Sequence, residues 1–280
     1  PDDIARGAKP LEVDGMAKPT AARVMALAQG GQTLLSADAV QALQQAGSEV
    51  PLHSHGHWRL KGVAEPLELF EAGEPPHAPP PDGDKGYRVV RIGERWLPVH
   101  QLPNNLPQQA TSFVGREREL DEVIAALKTS RLVTLLGMGG LGKTRLSLQV
   151  AAELLAEYPD GAWFLDLSPL REPALVVEEA ARLLQVQEEP GRPLLQTLCA
   201  HVKDQRLLLV VDNCEHLVEA AAALAHALLR AAPGLRLLAS SREALRVPGE
   251  LTYPVLPLPL PAAGSDAAAL ARSTAVRLFL

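Results

Sequence analysis

From residue 131 onward, the apolar residues alternate between two patterns. Short unbroken apolar runs are typical of strands buried on both faces of a sheet, and longer runs with apolar residues every three or four positions are typical of helices. The short runs predict strands at Arg131–Leu136, Ala162–Leu167, Arg206–Val211, Leu235–Ser240 and Leu251–Val255. The longer runs predict helices at Lys143–Glu157, Ala174–Leu184, Leu194–Val202 and Glu215–Ala232. This alternation predicts an α/β fold with a doubly wound parallel sheet.

The front of the chain has a mixed pattern. Its periodicities predict helices and short strands at Thr20–Ala28, Thr33–Ser36, Ala37–Ala46, His57–Leu60 and Leu67–Glu71. Ser36 is placed as the N-cap of the second helix. Because so few elements cannot close a core, we expect residues 1–72 to be the last part of an α+β domain that begins upstream.

A proline-rich segment at residues 73–110 separates this part from residues 111–280. Its stretch PPHAPPPDGDKG has no apolar period, and proline fixes φ and removes backbone donors, which predicts a semi-rigid linker. Within it, Tyr87–Val99 alternates around a Gly-Glu turn. This pattern predicts a small hairpin that packs on a neighbour.

Composition narrows the classes of function. The chain is 47% hydrophobic and 21% charged, which is typical of globular proteins, and its net charge of -6 argues against direct nucleic-acid binding by these residues. The two cysteines, Cys199 and Cys214, fit neither a disulfide framework nor a zinc site, which favours the cytoplasm. Charged residues interrupt the longest apolar candidate, so we expect no membrane span.

The segment GMGGLGKT, Gly137–Thr144, fits G-x-x-x-x-G-K-[ST] between a predicted strand and a predicted helix. Its glycines let successive N–H groups converge on a phosphate at the helix N-terminus. Lys143 supplies a charge that reaches the β- and γ-phosphates, and the Thr144 hydroxyl is placed to bind Mg²⁺. The motif predicts a P-loop NTPase with ATP or ADP as cofactor, bound by Gly137, Gly139, Gly140, Leu141, Gly142, Lys143 and Thr144.

A second signal is the apolar run that ends in Asp212. A carboxylate at the carboxyl end of a parallel strand lies where α/β folds bind ligands, so Asp212 can hold the water-coordinated Mg²⁺ together with Thr144. Asn213 follows where a second acid would act as base, and because an amide cannot take a proton from water we expect slow hydrolysis. Glu215 is either a substitute base or a first-turn glutamate that favours the helix dipole.

The predicted strand Leu235–Ser240 runs into Ser241 and Arg242 at the same edge. An arginine there can reach the γ-phosphate and report its presence, with a bidentate geometry that lysine lacks. The alternative is an ordinary surface arginine. The predicted catalytic residues are therefore Lys143, Asp212 and Arg242.

With VGRE (Val114–Glu117), GMGGLGKT, LLLVVDNCEHL and ASSREAL in this order, residues 111–280 resemble the nucleotide-binding domain of the STAND ATPases. These signal-transduction ATPases are related to NB-ARC proteins, and the resemblance is to their bacterial regulators. It implies that Val114, Gly115 and Arg116 lie against adenine and that Ser241 and Arg242 form the first sensor. It also implies ATP/ADP exchange as a switch that controls oligomerisation, with slow hydrolysis resetting it.

Residues 1–72 resemble the carboxyl end of class III adenylate/guanylate cyclase domains, through AARVMALAQGGQTLLS and HWRLKGVAEPLELFE. The family's transition-state arginine matches Arg23, whereas Pro19 stands at the position of its asparagine. Both metal-binding aspartates would precede residue 1, and a cyclase needs two metal carboxylates. We therefore expect no cyclase activity from these residues alone.

Two further groups have competing interpretations. His53, His55 and His57 alternate, so in a regular strand they would share one face and could hold Zn²⁺, although an ordinary loop and strand start is the alternative. Cys214 is interpreted as a buried apolar residue rather than a nucleophile, because the spacing sets no base beside it.

Three functions follow from the sequence. The first is an ATP/Mg²⁺-binding regulatory switch with slow ATP hydrolysis. The second is a nucleotide cyclase whose STAND domain regulates it, and the third is a nucleotide-binding scaffold without turnover, which Asn213 favours. In all three the partner is a nucleotide, and the family resemblance adds self-association through the nucleotide-binding domain.

Overall fold

The computed structural model describes residues 17–73, 79–107, 113, 115–258 and 275. The chain divides into two compact units, residues 1–101 and residues 102–280. Val114, one of the residues predicted to lie against the base, is outside the described residues. Within the described residues we find no helix with the length and apolar character that a bilayer crossing requires.

The first unit is an antiparallel sheet of five strands with two helices. Its elements are α1 (Ala17–Leu27), β1 (Leu34–Ser36), α2 (Ala37–Gln45), β2 (Leu52–Leu60), β3 (Leu67–Ala72), β4 (Gly86–Ile92) and β5 (Arg95–Pro98). The strand order is β1-β3-β2-β4-β5. The core of this unit consists of Val24, Leu27, Trp58, Leu60 and Leu69.

The hairpin of β4 and β5 occupies part of the segment predicted as a linker. The two strands pair around Gly93, and β4 also pairs with β2, with Trp58 opposite Arg88. The hairpin is therefore the edge of the first sheet, and the division between the two units falls after Gln101. The linker bounds of 73 and 110 remain a prediction.

A β-bulge in β2 separates the three histidines. The register of β2 against β3 shifts between Ser54 and His57, so His55 and Trp58 both point into the core although they are three residues apart. His57 consequently lies on the face opposite His55. The expectation that all three imidazoles share a face is wrong, and the described residues contain no cluster of three or more His, Cys, Asp or Glu that could hold a metal ion.

The N-cap predicted for the second helix is present. The Ser36 hydroxyl oxygen accepts a hydrogen bond from the Ala39 N–H at 3.4 Å. Replacing Ser36 with alanine should lower the free energy of unfolding by about 1 kcal/mol, because one helix N–H loses its partner. Urea unfolding followed by circular dichroism measures this loss. Ser48→Ala, beyond the end of α2, is the control, and an equal loss in both variants would contradict the capping role.

The second unit is a parallel sheet of five strands in the order β10-β6-β9-β8-β7. Its strands are β6 (Leu132–Leu136), β7 (Ala162–Asp166), β8 (Leu208–Asp212), β9 (Arg236–Ser241) and β10 (Glu250–Pro254). Its helices are α3 (Glu117–Thr129), α4 (Lys143–Leu154), α5 (Leu175–Leu183), α6 (Leu194–Val202) and α7 (Val218–Ala231). The predicted α/β class with a parallel sheet is confirmed.

One helix begins later than its apolar pattern predicts. Helix α7 begins at Val218, whereas the prediction placed Glu215 in its first turn. Asn213 adopts a left-handed conformation, with φ of 60°, and a separate 3-10 turn follows at Cys214–His216. Glu215 therefore belongs to this turn, and the interpretation that it favours the dipole of α7 from the first turn is wrong.

Candidate functional site

The glycine-rich loop connects β6 to α4 at the carboxyl edge of the second sheet. Gly140 and Gly142 have φ near 81°, a left-handed conformation that favours glycine. A side chain at Gly137 would lie 2.9 Å from the Val255 carbonyl oxygen, so the chain passes close to the loop there. Beside the loop is a cleft of about 360 Å³, lined by Gly139, Gly140, Gly142, Lys143, Thr144, Arg145, Leu148, Asn213 and Glu215.

Lys143 is the first residue of α4, and its side chain folds back over the loop. Its Nζ donates to the carbonyl oxygens of Gly137 at 2.7 Å and Met138 at 3.0 Å. Only 7% of the residue is exposed. The ammonium group is therefore held beside the loop glycines and the helix N-terminus, where backbone N–H groups attract an anion.

Thr144 and Asp212, the two predicted metal ligands, are in contact. The Thr144 hydroxyl donates to Asp212 Oδ2 at 2.7 Å. A hydroxyl and a carboxylate are hard oxygen ligands, and Mg²⁺ in nucleotide sites is bound by one or two carboxylates together with substrate phosphates. The donor set therefore fits Mg²⁺.

Asp212 also accepts a hydrogen bond from β9, the strand that lies between β8 and β6. Ser240, on β9, donates its hydroxyl to Asp212 Oδ1, and Asp212 as a whole is 1% exposed. Burial raises the pKa of Asp212 above its ordinary value, while the hydrogen bonds from Ser240 and Thr144 and the charge of Lys143 act in the opposite direction. A cation bound at Oδ2 would add to the interactions that favour the ionised form.

Asn213 uses its amide as a donor to two carboxylates. Its Nδ2 lies 3.0 Å from Asp212 Oδ2 and 3.2 Å from Asp166 Oδ1. Asp166 is the last residue of β7 and pairs in register with Asp212. Asp166 and Ser240 were not predicted as site residues, although both lie at the carboxyl end of a predicted strand. The position after Asp212 thus orients neighbouring carboxylates and has no basic group of its own.

Removal of the Ser240 hydroxyl should destabilise the protein. Ser240→Ala leaves one oxygen of a buried carboxylate without its donor, and an unsatisfied buried polar group costs about 1–3 kcal/mol. Guanidinium unfolding measures the change. Ser168→Ala removes a hydroxyl bonded to the carboxylate of Asp166 at an exposed site, where we expect less than about 0.5 kcal/mol. Equal losses would contradict the proposed cost of burial.

Arg242 and Glu215 form an ion pair at the margin of the cleft. Arg242 Nε lies 3.3 Å from Glu215 Oε1, and the side chains are 57% and 20% exposed. One guanidinium nitrogen lies 3.7 Å from the position that a side chain at Gly139 would occupy. The predicted sensor arginine is therefore beside the glycine-rich loop.

Arg116 connects three parts of the second unit through hydrogen bonds. Its Nη2 donates to the carbonyl oxygens of Leu141 at 3.0 Å and Leu256 at 2.8 Å, and its Nη1 donates to Glu119 at 2.9 Å. It is 6% exposed. The N–H of Gly115 donates to Glu117. In this structure Arg116 anchors the loop through Leu141, while its predicted position at the base stays a prediction.

Cys214 has no part in this chemistry. It is fully buried, and its thiol lies 3.5 Å from the Val211 carbonyl oxygen. Burial raises the pKa of the thiol well above its ordinary value, which disfavours the nucleophilic thiolate. Cys214, the first residue of the 3-10 turn, is therefore part of the core.

Comparison with known proteins gives one family model, described as Novel STAND NTPase 1, which matches residues 102–246. The uncharacterized protein Rv0894 of Mycobacterium tuberculosis is 43% identical over 62% of this chain and 44% of its own length. The HTH-type transcriptional regulator Rv0890c of the same organism is 46% identical over 47% of this chain and 15% of its own length. The chain thus spans less than half the length of these relatives.

Two solved structures match part of this chain at low identity. A STAND protein with a tetratricopeptide repeat sensor from Pyrococcus horikoshii is 16% identical, with a TM-score of 0.40 over 54% of this chain and 24% of that one. Cdc6p from Pyrobaculum aerophilum is 18% identical, with a TM-score of 0.38 over 59% of this chain and 49% of that one.

Proposed function

Because the chain belongs to the Novel STAND NTPase 1 family, we propose that it is a nucleotide-dependent regulatory switch that binds ATP or ADP with Mg²⁺ and hydrolyses ATP slowly. The observation that carries the proposal is the contact between the Thr144 hydroxyl and the Asp212 carboxylate beside the buried ammonium group of Lys143. These three groups and the loop N–H groups meet at one cleft.

Each group has a separate task in this proposal. The N–H groups of the glycine-rich loop and the N-terminus of α4 bind the β-phosphate. Lys143 exchanges its contacts with Gly137 and Met138 for phosphate oxygens, and Thr144 and Asp212 hold Mg²⁺. When bound, Mg²⁺ neutralises charge on the β- and γ-phosphates. Arg242 contacts the γ-phosphate and so distinguishes ATP from ADP.

The difference between ATP and ADP is the basis of the switch. A ligand shifts a conformational equilibrium only as far as it interacts differently with the two states. Arg242, at the margin of the cleft and more than half exposed, can move toward a γ-phosphate at little cost. We propose that this movement is coupled to self-association of the protein. A relative from Streptomyces griseus, 28% identical over 50% of this chain and 15% of its own length, is named regulatory protein AfsR, and that name supports only the regulatory part of the proposal.

A second candidate is a regulated nucleotide cyclase, favoured by the cyclase-like sequence of residues 21–36 and 57–71. The family model begins at residue 102 and leaves the first unit unassigned. In this candidate Arg23, which is exposed on α1, stabilises the transition state. Formation of cyclic nucleotide by the full-length protein, and its loss in Arg23→Ala, would support this function. A full-length protein that binds ATP but forms no cyclic nucleotide would refute it.

Titration with a fluorescent ATP analogue tests the leading proposal. We expect saturable binding between about 1 µM and 1 mM, the usual range for enzyme substrates, with displacement by ATP and by ADP. Chelation of Mg²⁺ should weaken the binding of ATP. No saturation in this range would refute the proposal.

A further inference from the structure

Glu215 reaches the nucleotide cleft from an unexpected element. The 3-10 turn at Cys214–His216 places its side chain in the lining of the cleft, together with Lys143, Thr144 and Asn213. Since α7 begins only at Val218, a role for Glu215 in the first turn of that helix does not explain this position.

The two carboxylate oxygens of Glu215 have different surroundings. Oε1 is paired with Arg242 Nε at 3.3 Å. Oε2 is buried and has no hydrogen-bond partner among the described residues. A buried unpaired carboxylate oxygen is costly, so its persistence requires a reason, and a functional site is a common one. Oε2 is therefore an acceptor without a donor, on a residue that lines the cleft.

The other acidic groups at this edge are already engaged. Asp212 accepts from Thr144, Ser240 and Asn213, and Asp166 accepts from Asn213 and from the hydroxyl of Ser168. Asn213, at the position where a second acid would follow Asp212, donates to both carboxylates. Among the described residues that line the cleft, Glu215 is the one that supplies a carboxylate.

We propose that Glu215 is the general base of ATP hydrolysis in this protein, an inference that rests on the proposed nucleotide site. Once the carboxylate is released from Arg242 toward the cleft, Oε2 accepts a hydrogen bond from a water molecule in line with the γ-phosphate and takes its proton as the water oxygen bonds to the γ-phosphorus. The bond between the γ-phosphorus and the β–γ bridging oxygen breaks, and its electron pair leaves with ADP. The products are ADP, inorganic phosphate and a proton, which Glu215 returns to solvent.

Arg242 restrains this base before ATP binds. In this structure its ion pair with Oε1 holds the carboxylate while Oε2 is buried. The pair is partly exposed and therefore weak, since pairs of this kind contribute about 0–1 kcal/mol. A γ-phosphate can consequently draw Arg242 toward itself without a large penalty, which couples the presence of ATP to the release of the base.

The test is Glu215→Gln, which keeps the shape of the side chain and removes its basicity. Single-turnover phosphate release should slow by about 100-fold or more, because general base catalysis contributes about 10² to 10⁴. Affinity for the fluorescent ATP analogue should change less than about threefold, and nucleotide recovered from the variant should be ATP rather than ADP. The control is Glu243→Gln, an exposed glutamate two residues beyond the end of β9 and paired with Arg246, for which we expect the parent rate.

Two results would overturn the inference. One is phosphate release by Glu215→Gln at the parent rate. The other is a parent protein that binds ATP and releases no phosphate, which would leave the nucleotide site intact and remove the need for a base. Failure of the nucleotide site itself is distinguishable, because then the parent would not bind the fluorescent analogue. Unfolding curves of parent and variant establish that both are folded.

Discussion

Lys143→Ala is expected to weaken the binding of ATP by between about tenfold and about 150-fold. The ammonium group is buried at the loop, and its Nζ is 2.7 Å from the Gly137 carbonyl oxygen, so it is positioned before a phosphate arrives. Hydrogen bonds to charged groups contribute about 1.5–3 kcal/mol, and each 1.4 kcal/mol is a factor of ten in affinity. Titration with the fluorescent ATP analogue measures the change.

The matched control for this variant is Lys128→Ala. Lys128 lies on α3 with its side chain 60% exposed, and its contact with Glu157 is long, at 3.9 Å. We expect parent affinity for this variant, since an exposed pair of this kind contributes little. Equal affinity in parent, Lys128→Ala and Lys143→Ala would remove the basis for a phosphate site at the glycine-rich loop.

Asp212→Ala should slow the release of phosphate by at least about 100-fold and abolish the dependence of ATP binding on Mg²⁺. Thr144 loses the carboxylate to which it donates, and the cation loses its anionic ligand. Metal ions contribute several kcal/mol to the stabilisation of charge in phosphoryl transfer, and 1.36 kcal/mol is a factor of ten in rate. Phosphate release at varied Mg²⁺ concentration is the measurement.

Asp204→Ala is the control for the loss of an aspartate. Asp204 is exposed and precedes β8, whereas Asp212 is the last residue of that strand. The two aspartates therefore lie toward opposite ends of β8. We expect the parent rate and parent Mg²⁺ dependence. If Asp212→Ala is folded by circular dichroism and retains the Mg²⁺ dependence of the parent, the assignment of Asp212 as a metal ligand is wrong.

The strands of the second unit were predictable because their signal is local. Each is a short apolar run, and the predicted bounds differ from β6 to β10 by one or two residues. Helix α3 was not predicted from the sequence. The start of α7 was placed three residues too early because Ala-rich periodicity continues through the turn that Asn213 introduces.

Contacts between distant parts of the chain were not predictable in the same way. Arg116 reaches a carbonyl oxygen 140 residues away, and no periodicity marks such a partner. The bulge in β2 inverts the faces of the residues that follow it, which made the alternation of His55 and His57 misleading. The glycine-rich motif was different, because its residue order implies its own neighbours and placed Lys143 and Thr144 correctly at the start of α4.

The strand order sets the distance between the two backbones that flank the cleft, and this distance does not depend on their side chains. Because β9 lies between β6 and β8, the backbones that carry the loop and Asp212 are two interstrand spacings apart, about 9.6 Å. The backbone hydrogen bonds between neighbouring strands fix this separation. Substitutions at the carboxyl edge can therefore exchange a hydroxyl, an amide or an acid and change the reactivity of the site. The distance between the two backbones stays the same.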